Sequence, residues 1–186
     1  MSQTHHGHTD ELRVAYDRAR AWAADARDLG HSSDADDADL KIVGEQGKGY
    51  KSISWSFPNM DAPVMADIQK YVVDAGLSKT NPEEMEGVFY GRGIVISAIL
   101  AEGIAAAQEE YGVAEITPAQ LRWGLENINM TEERISELGL DGMVPPFATS
   151  CEDHTGNSGG WMLEWNGSAF EKVSDHLVAN TAGYAD

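Results

Sequence analysis

One cysteine, Cys151, in 186 residues excludes an internal disulfide and any zinc or iron–sulfur site built from several thiolates. Basic residues are scarce as well. Thirteen Lys and Arg stand against 31 Asp and Glu, and the formal charge of -18 repels phosphate backbones and anionic membranes, which disfavours nucleic acid as a partner; none is expected. Long apolar runs are also lacking. The most apolar stretch, Gly93 to Ala107, is interrupted by Glu102 and falls short of the ~20 residues of a membrane span, so direct membrane insertion is not expected. The opening "MSQTHHGHTDELR" has no basic region followed by an apolar one, so it does not read as a secretory signal, and the chain as written would stay in the cytoplasm.

What is present fits an ordinary soluble domain, with 42% hydrophobic residues and no internal repeat. Residues 10 to 29 favour a helix with Thr9 as cap, Gly30 as stop and a thin apolar stripe. "SSDADDAD", from Ser32, reads as a polar acidic loop. The alternation in "YKSISWSF" predicts a strand with Ile53, Trp55 and Phe57 on one face and Ser52, Ser54 and Ser56 on the other. "DAPVMADIQKYVVDAG" predicts a helix capped by Asp61, with Pro63 in its first turn, that buries Val64, Ile68, Tyr71 and Val72 and stops at Gly76.

A long helix comes next in "GVFYGRGIVISAILAEGIAAAQEEYG", apolar on several faces and so expected to be buried between other elements. In "TPAQLRWGLENI", Thr117, Pro118 and Gln120 spell an N-cap, a first helical position and a capping box, with Leu121, Leu125 and Ile128 as the core face. A short helix after Thr131 ends at Gly139. Beyond Pro145 the chain reads as strands and turns, with Trp161, Leu163 and Trp165 alternating and Asn166-Gly167 marking a hairpin. The tail, 179–186, reads as frayed.

Several local motifs suggest chemistry. Asp34, Asp36 and Glu45 match three positions of a calcium loop, but Ala38 stands at a ligand position and Asp39 at the glycine of the turn, which favours a solvated acidic loop. "GEQGKGYKS" is close to a phosphate-binding loop, yet Tyr50 separates glycine from lysine and a strand comes next instead of a helix. In "EDHTGNSGGW", Ser158 has hydrolase-like neighbours, but a polar run precedes it and a strand succeeds it, so a nucleophile elbow is not expected. Cys151, Asp153 and His154, or His5, His6 and His8, fall short of a fixed four-ligand metal site. The segment reads better as a glycine-rich connection in which Asp153 and the hydroxyls satisfy backbone donors.

Taken in order, "GEQGKGYKSISWSFP", "DIQKYVVDAG", "VFYGRGIVISAILAEGIAAA", "TPAQLRWGLENI" and "CEDHTGNSGGWMLEWNGSAFEKV" resemble the C-terminal portion of one family. It is that of the substrate-binding proteins of ABC importers for branched-chain and related amino acids, the Leu/Ile/Val-binding type of two-lobed periplasmic receptor. The resemblance runs from about Asp36 to about Lys172. Residues 1–35 form a leader outside it, and 36–178 are the expected portion of the ligand-binding domain.

This resemblance implies a partial type I periplasmic-binding-protein fold, an incomplete doubly wound α/β structure ending in a β-hairpin. It further implies a non-enzymatic role without cofactor or metal, capture of a small amino acid or amide between lobes, delivery to an ABC permease, and a periplasmic location. Family members carry a signal peptide and most of two lobes before the first matching segment. Tyr90 and Arg92 are the candidate ligand-binding residues, an aromatic wall and a cation for a carboxylate. Two rival readings are a hydrolase using Ser158 and an interaction protein docking through Trp22. The missing part of the cleft is expected to leave an apolar patch and so promote dimerisation or aggregation.

Overall fold

The computed structural model describes residues 29–30, 37–157 and 159–178, and its secondary structure mixes helices and open sheets, the expected α/β class. The chain divides into two compact units, Met1–Ser54 with Gly160–Leu177 and Trp55–Gly159 with Val178–Asp186. The leader helix expected over residues 10–28 and the tail at 179–186 lie outside the described residues. Leu29, the expected last residue of that helix, instead begins a strand.

The first unit is built on a five-stranded sheet. Strand β1 (Leu29–Gly30) runs parallel to β2 (Lys51–Ser54), β2 is antiparallel to β5 (Gly159–Trp165), and β5 is antiparallel to β6 (Phe170–Lys172). Strand β7 (Leu177–Val178) also pairs with β5. Residues Asp37–Val43 form helix α1, which corrects the acidic-loop expectation: Asp37 and Asp39 lie in its first turn, where carboxylates suit the helix dipole, and Leu40 and Val43 are buried. A 3-10 turn occupies Gly44–Gly47, with no helix after it to present amides to a phosphate.

The alternation of β2 is as expected, and its buried side is the serine side. Ser52, Ser54 and Ser56 are fully buried, whereas Ile53 is 40% exposed. Ser52 pairs with Leu163 and Ser54 with Trp161, so the serines share a sheet face with Leu163 and Trp165, both fully buried. A Cβ added at Gly160 would stand 2.7 Å from the Ser54 carbonyl oxygen; small residues are what let this part of the sheet pack so closely. The strand ends at Ser54, short of the expected Phe57, because its pairing with β5 ends at Trp161. In the hairpin, the Asn166 side chain accepts from the Ser168 and Ala169 amides and Gly167 takes φ +108°, which makes a four-residue loop closed by Trp165 opposite Phe170.

The second unit is mostly helical. Helix α2 (Pro63–Ile68) has Ala62 as N-cap and Pro63 in its first turn, and the expected cap, Asp61, lies one residue outside. It continues as a π-turn, Gln69–Val73. Val64 and Ile68 pack against the core as expected, beside the buried Met65, but the π-turn adds a residue to the repeat, so that Val73 packs against the core while Tyr71 and Val72 face outward.

Helix α3 (Val88–Tyr111) ends at Gly112 in the left-handed region. It has 24 residues and is long and apolar enough to cross a membrane by length and composition, which corrects the expectation that no stretch is. It is also less enclosed than expected. Val88, Val95 and Ala107 are buried, but Phe89, Ile96 and Leu100 are exposed, because neighbouring elements cover only one side of it.

Helix α4 (Pro118–Leu125) obeys its N-terminal sequence signals, and of its expected core face Leu125 and Ile128 reach the core while Leu121 is not part of it. The Thr117 hydroxyl accepts from the Gln120 amide, and the Gln120 side chain accepts from the Thr117 amide. It crosses α3 backbone to backbone, with Gly124 against the Gly103 carbonyl and no room for a side chain between them. Helix α5 (Glu132–Glu137) starts at Thr131, and Gly139 (φ +68°) closes it as expected. Strands β3 (Asn129–Met130) and β4 (Phe147–Ala148) pair antiparallel, and the core gathers Met65, Met85, Val95, Ile128, Met130, Leu140 and Met143. Arg134 on α5 holds Glu102 on α3 through two bonds of 2.7 and 2.8 Å.

Candidate ligand-binding site

The "YGRG" step sits in the first turns of α3, and its two glycines have opposite roles. A Cβ at Gly91 would stand 2.8 Å from the Cα of Pro58, so Gly91 lets the segment Trp55 to Pro58 lie directly on the helix. At Gly93 nothing lies within 4 Å of that position. The close approach at Gly91 sets Trp55 beside Arg92. The Arg92 guanidinium carbon is 5.7 Å from the Trp55 ring centre and 5.0 Å from that of Phe89, a cation between two aromatic rings. Burial pulls the Arg92 pKa down from its ordinary value, and an arginine remains cationic under that pressure.

Tyr90 faces elsewhere. Residues two apart on a helix point about 200° apart, and Tyr90 lines an open groove of about 670 Å³ with Val64, Gly93, Ile94, Leu140 and Phe89, the ring that borders Arg92. Arg92 does not line this groove. The aromatic wall and the cation are thus on different sides of α3, and the groove itself is apolar. Trp55 and Phe89, the partners of Arg92, were missed by sequence reasoning. The i, i+3 spacing of Phe89 and Arg92 is a usable signal for one of them; Trp55 needs the tertiary contact at Pro58.

A second cavity, of about 300 Å³, is lined by Arg122, Leu125, Glu126, Thr149 and His154. Glu126 Oε1 accepts from Arg122 Nε at 2.7 Å and lies 3.1 Å from His154 Nε2. The hydrogen bond from Arg122, helped by the charge of Arg122 and by His154, holds the Glu126 carboxyl below its usual range. The Thr149 hydroxyl donates to the Leu125 carbonyl at 2.6 Å and accepts from the Ile128 amide, pinning the start of the "CEDHTGN" connection to the end of α4. Within that connection Asp153 Oδ1 accepts from the Thr155 amide, and the Ser150 hydroxyl accepts from the Glu152 and Asp153 amides. Asp153 and its neighbours therefore satisfy backbone donors, as the turn chemistry implies.

Ser158 lies outside the described residues, as do His5, His6, His8, Asp34 and Asp36. Strand β5 begins directly after Ser158, and His154 is engaged with Glu126. Among the described residues no group of three His, Cys, Asp or Glu side chains could hold a metal ion.

No family model and no curated protein matches the chain. Solved structures do. An ABC transporter permease from the Pseudomonas fluorescens group is similar over 89% of this chain and 41% of its own, at 24% identity and a TM-score of 0.80. A branched-chain amino acid ABC transporter from Thermus thermophilus, with bound valine, is similar over 94% of this chain and 46% of its own, at 20% identity and a TM-score of 0.68. A substrate-binding protein of an ABC transporter from Aeropyrum pernix is similar at 16% identity and a TM-score of 0.63, over 92% of this chain and 44% of its own. This chain thus spans less than half the length of each, and over that span it has the α/β fold of ABC-transporter substrate-binding proteins.

Proposed function

We propose that this chain is part of a non-enzymatic solute-binding component of an ABC import system, which captures a small polar ligand such as a branched-chain amino acid. The observation that supports this most directly is the likeness over 94% of the chain to a transporter protein holding valine. In this reading residues 36–178 supply part of the binding domain, joined in its sheet by Leu29–Gly30, and the protein acts in the periplasm.

Capture occurs in a cleft between lobes, and the liganded form delivers its cargo to the membrane permease. Arg92 offers its guanidinium to the ligand carboxylate, with Trp55 and Phe89 holding the cation in place and limiting its hydration. Tyr90 opens onto the neighbouring groove on another side of α3, so in this reading the ligand contact of the pair is carried by Arg92.

A ligand that binds the folded chain raises its melting temperature in proportion to the logarithm of ligand concentration. Thermal melts with valine, leucine and simple amides should therefore show a concentration-dependent rise for at least one of them. Melts unchanged by all of these ligands up to high concentration would contradict the proposal.

A further inference from the structure

The cavity at the end of α4 holds a charge pair whose bonding capacity is only partly used. Glu126 is the C-cap of α4, a place where the helix dipole disfavours a carboxylate, and its side chain is only 14% exposed. Arg122 Nε and His154 Nε2 both meet the same oxygen, Oε1, at 2.7 and 3.1 Å. Among the described residues no donor bonds Glu126 Oε2, and no acceptor bonds the terminal guanidinium nitrogens of Arg122. An acidic group set against the dipole and left with an open oxygen is a local cost of the kind found where a site has a use.

An arginine bound through Nε keeps its end-on fork of N–H groups, an edge that grips a carboxylate. The open oxygen of Glu126, beside it, is an acceptor for an ammonium. The Thr149 hydroxyl is engaged with the Leu125 carbonyl and the Ile128 amide, which leaves the ion pair and His154 as the polar groups open to a ligand. At about 300 Å³ the cavity is at the small end of ligand pockets.

The geometry points to a binding site for a small α-amino acid zwitterion in this cavity, with its carboxylate on the Arg122 fork and its ammonium on Glu126 Oε2. The site is separate from Arg92 and does not rest on the reading given for that residue. A ligand carrying both charges suits it better than one carrying either. A bare anion meets the repulsion of a chain of charge -18, and a bare cation leaves the Arg122 fork unmatched. Arg122 and His154 fix Oε1 before any ligand arrives, so little ordering is left for binding to accomplish.

Glycine, the smallest such zwitterion, is the probe, with acetate and methylammonium as its separate halves. NMR of the whole chain follows the ring signals of His154 and the methyl signals of Leu125 and Thr149. Saturable shifts with glycine are expected, and binding at least about tenfold weaker with either half. Arg122→Gln and Glu126→Gln should each weaken the glycine response at least about tenfold, and Arg92→Ala should leave it as it is. Arg122 is 71% exposed, so its replacement leaves the fold intact, which an unchanged helical circular dichroism checks. Absence of shifts at these signals would overturn the inference. So would acetate binding as well as glycine, or a glycine response that survives both substitutions. Shifts confined to the Trp55 and Phe89 rings and lost in Arg92→Ala would also overturn it, while sustaining capture at Arg92. Failure of valine to bind through Arg92 is a separate result, because it is read at those rings and not at His154.

Discussion

Two regions of this molecule reverse the usual sorting of side chains. On β2, Ser52 and Ser54 are fully buried; on α3, Phe89, Ile96 and Leu100 stand in solvent. The strand buries serines because they share their face with the large, fully buried Leu163 and Trp165, and small side chains suit the space left beside them. The helix exposes large apolar groups because only one side of it has a partner. Burial here is decided by which faces are covered, and composition is a weak guide to it.

The largest expected loss is on the buried face that the serines share. Trp165 is fully buried, donates through Nε1 to the Gly44 carbonyl at 3.0 Å and packs edge-on against Phe170. Trp165→Ala should cost about 3–5 kcal/mol in urea denaturation, and a cost under about 1 kcal/mol would show that the face is not tightly covered.

Ser52→Leu should be next, at about 1–3 kcal/mol from overpacking, even though it exchanges a polar residue for an apolar one. Ile96→Ser, the reverse exchange on the exposed helix, should stay within about 0.5 kcal/mol when measured in the monomer. If the two changes cost the same, the contrast between the regions fails.

Glycines give a finer version of the same contrast. Gly124→Ala must push α4 away from the Gly103 carbonyl and should destabilise by about 1–3 kcal/mol. Gly93→Ala meets nothing and should stabilise by up to about 1 kcal/mol through helix propensity. Thermal denaturation of both variants reads the difference in sign.

The smallest effect is electrostatic. Glu126 is held below its usual pKa chiefly by Arg122, so its contribution to stability is complete above the unfolded value of about 4.3 and is lost as pH falls through the lower folded value. Glu126→Gln should flatten the acid side of the stability profile and leave its slope near neutrality unchanged. An unaltered acid slope would show that the Arg122 bond does not persist in solution.

Much of this structure was legible in the sequence, and the reasons differ by element. The capping box at Thr117 and the stop at Gly139 are local chemistry, so local reading finds them. The period of β2 is local too, but which of its faces is buried depends on β5, more than a hundred residues away. The π-turn at Gln69–Val73 moved the inward position after α2 from Val72 to Val73, and no residue in it announces the change. Aspartates at 37 and 39 read as loop until their place in a helix first turn is known.

At the candidate site, the positions of Tyr90 and Arg92 on a helix could be read directly. Their divergence to opposite sides is a consequence of helical geometry once the helix is extended back to Val88. The aromatic pair around Arg92 depends on Gly91 meeting Pro58, a contact between segments far apart in sequence.

The most direct test of solute capture is a calorimetric titration of valine into the chain, beside the same titration into Arg92→Ala. The account predicts saturable binding that weakens at least about tenfold in the variant, the scale of losing one charge-assisted bond to a carboxylate. Absence of heat at any valine concentration, or equal binding by both proteins, would contradict it.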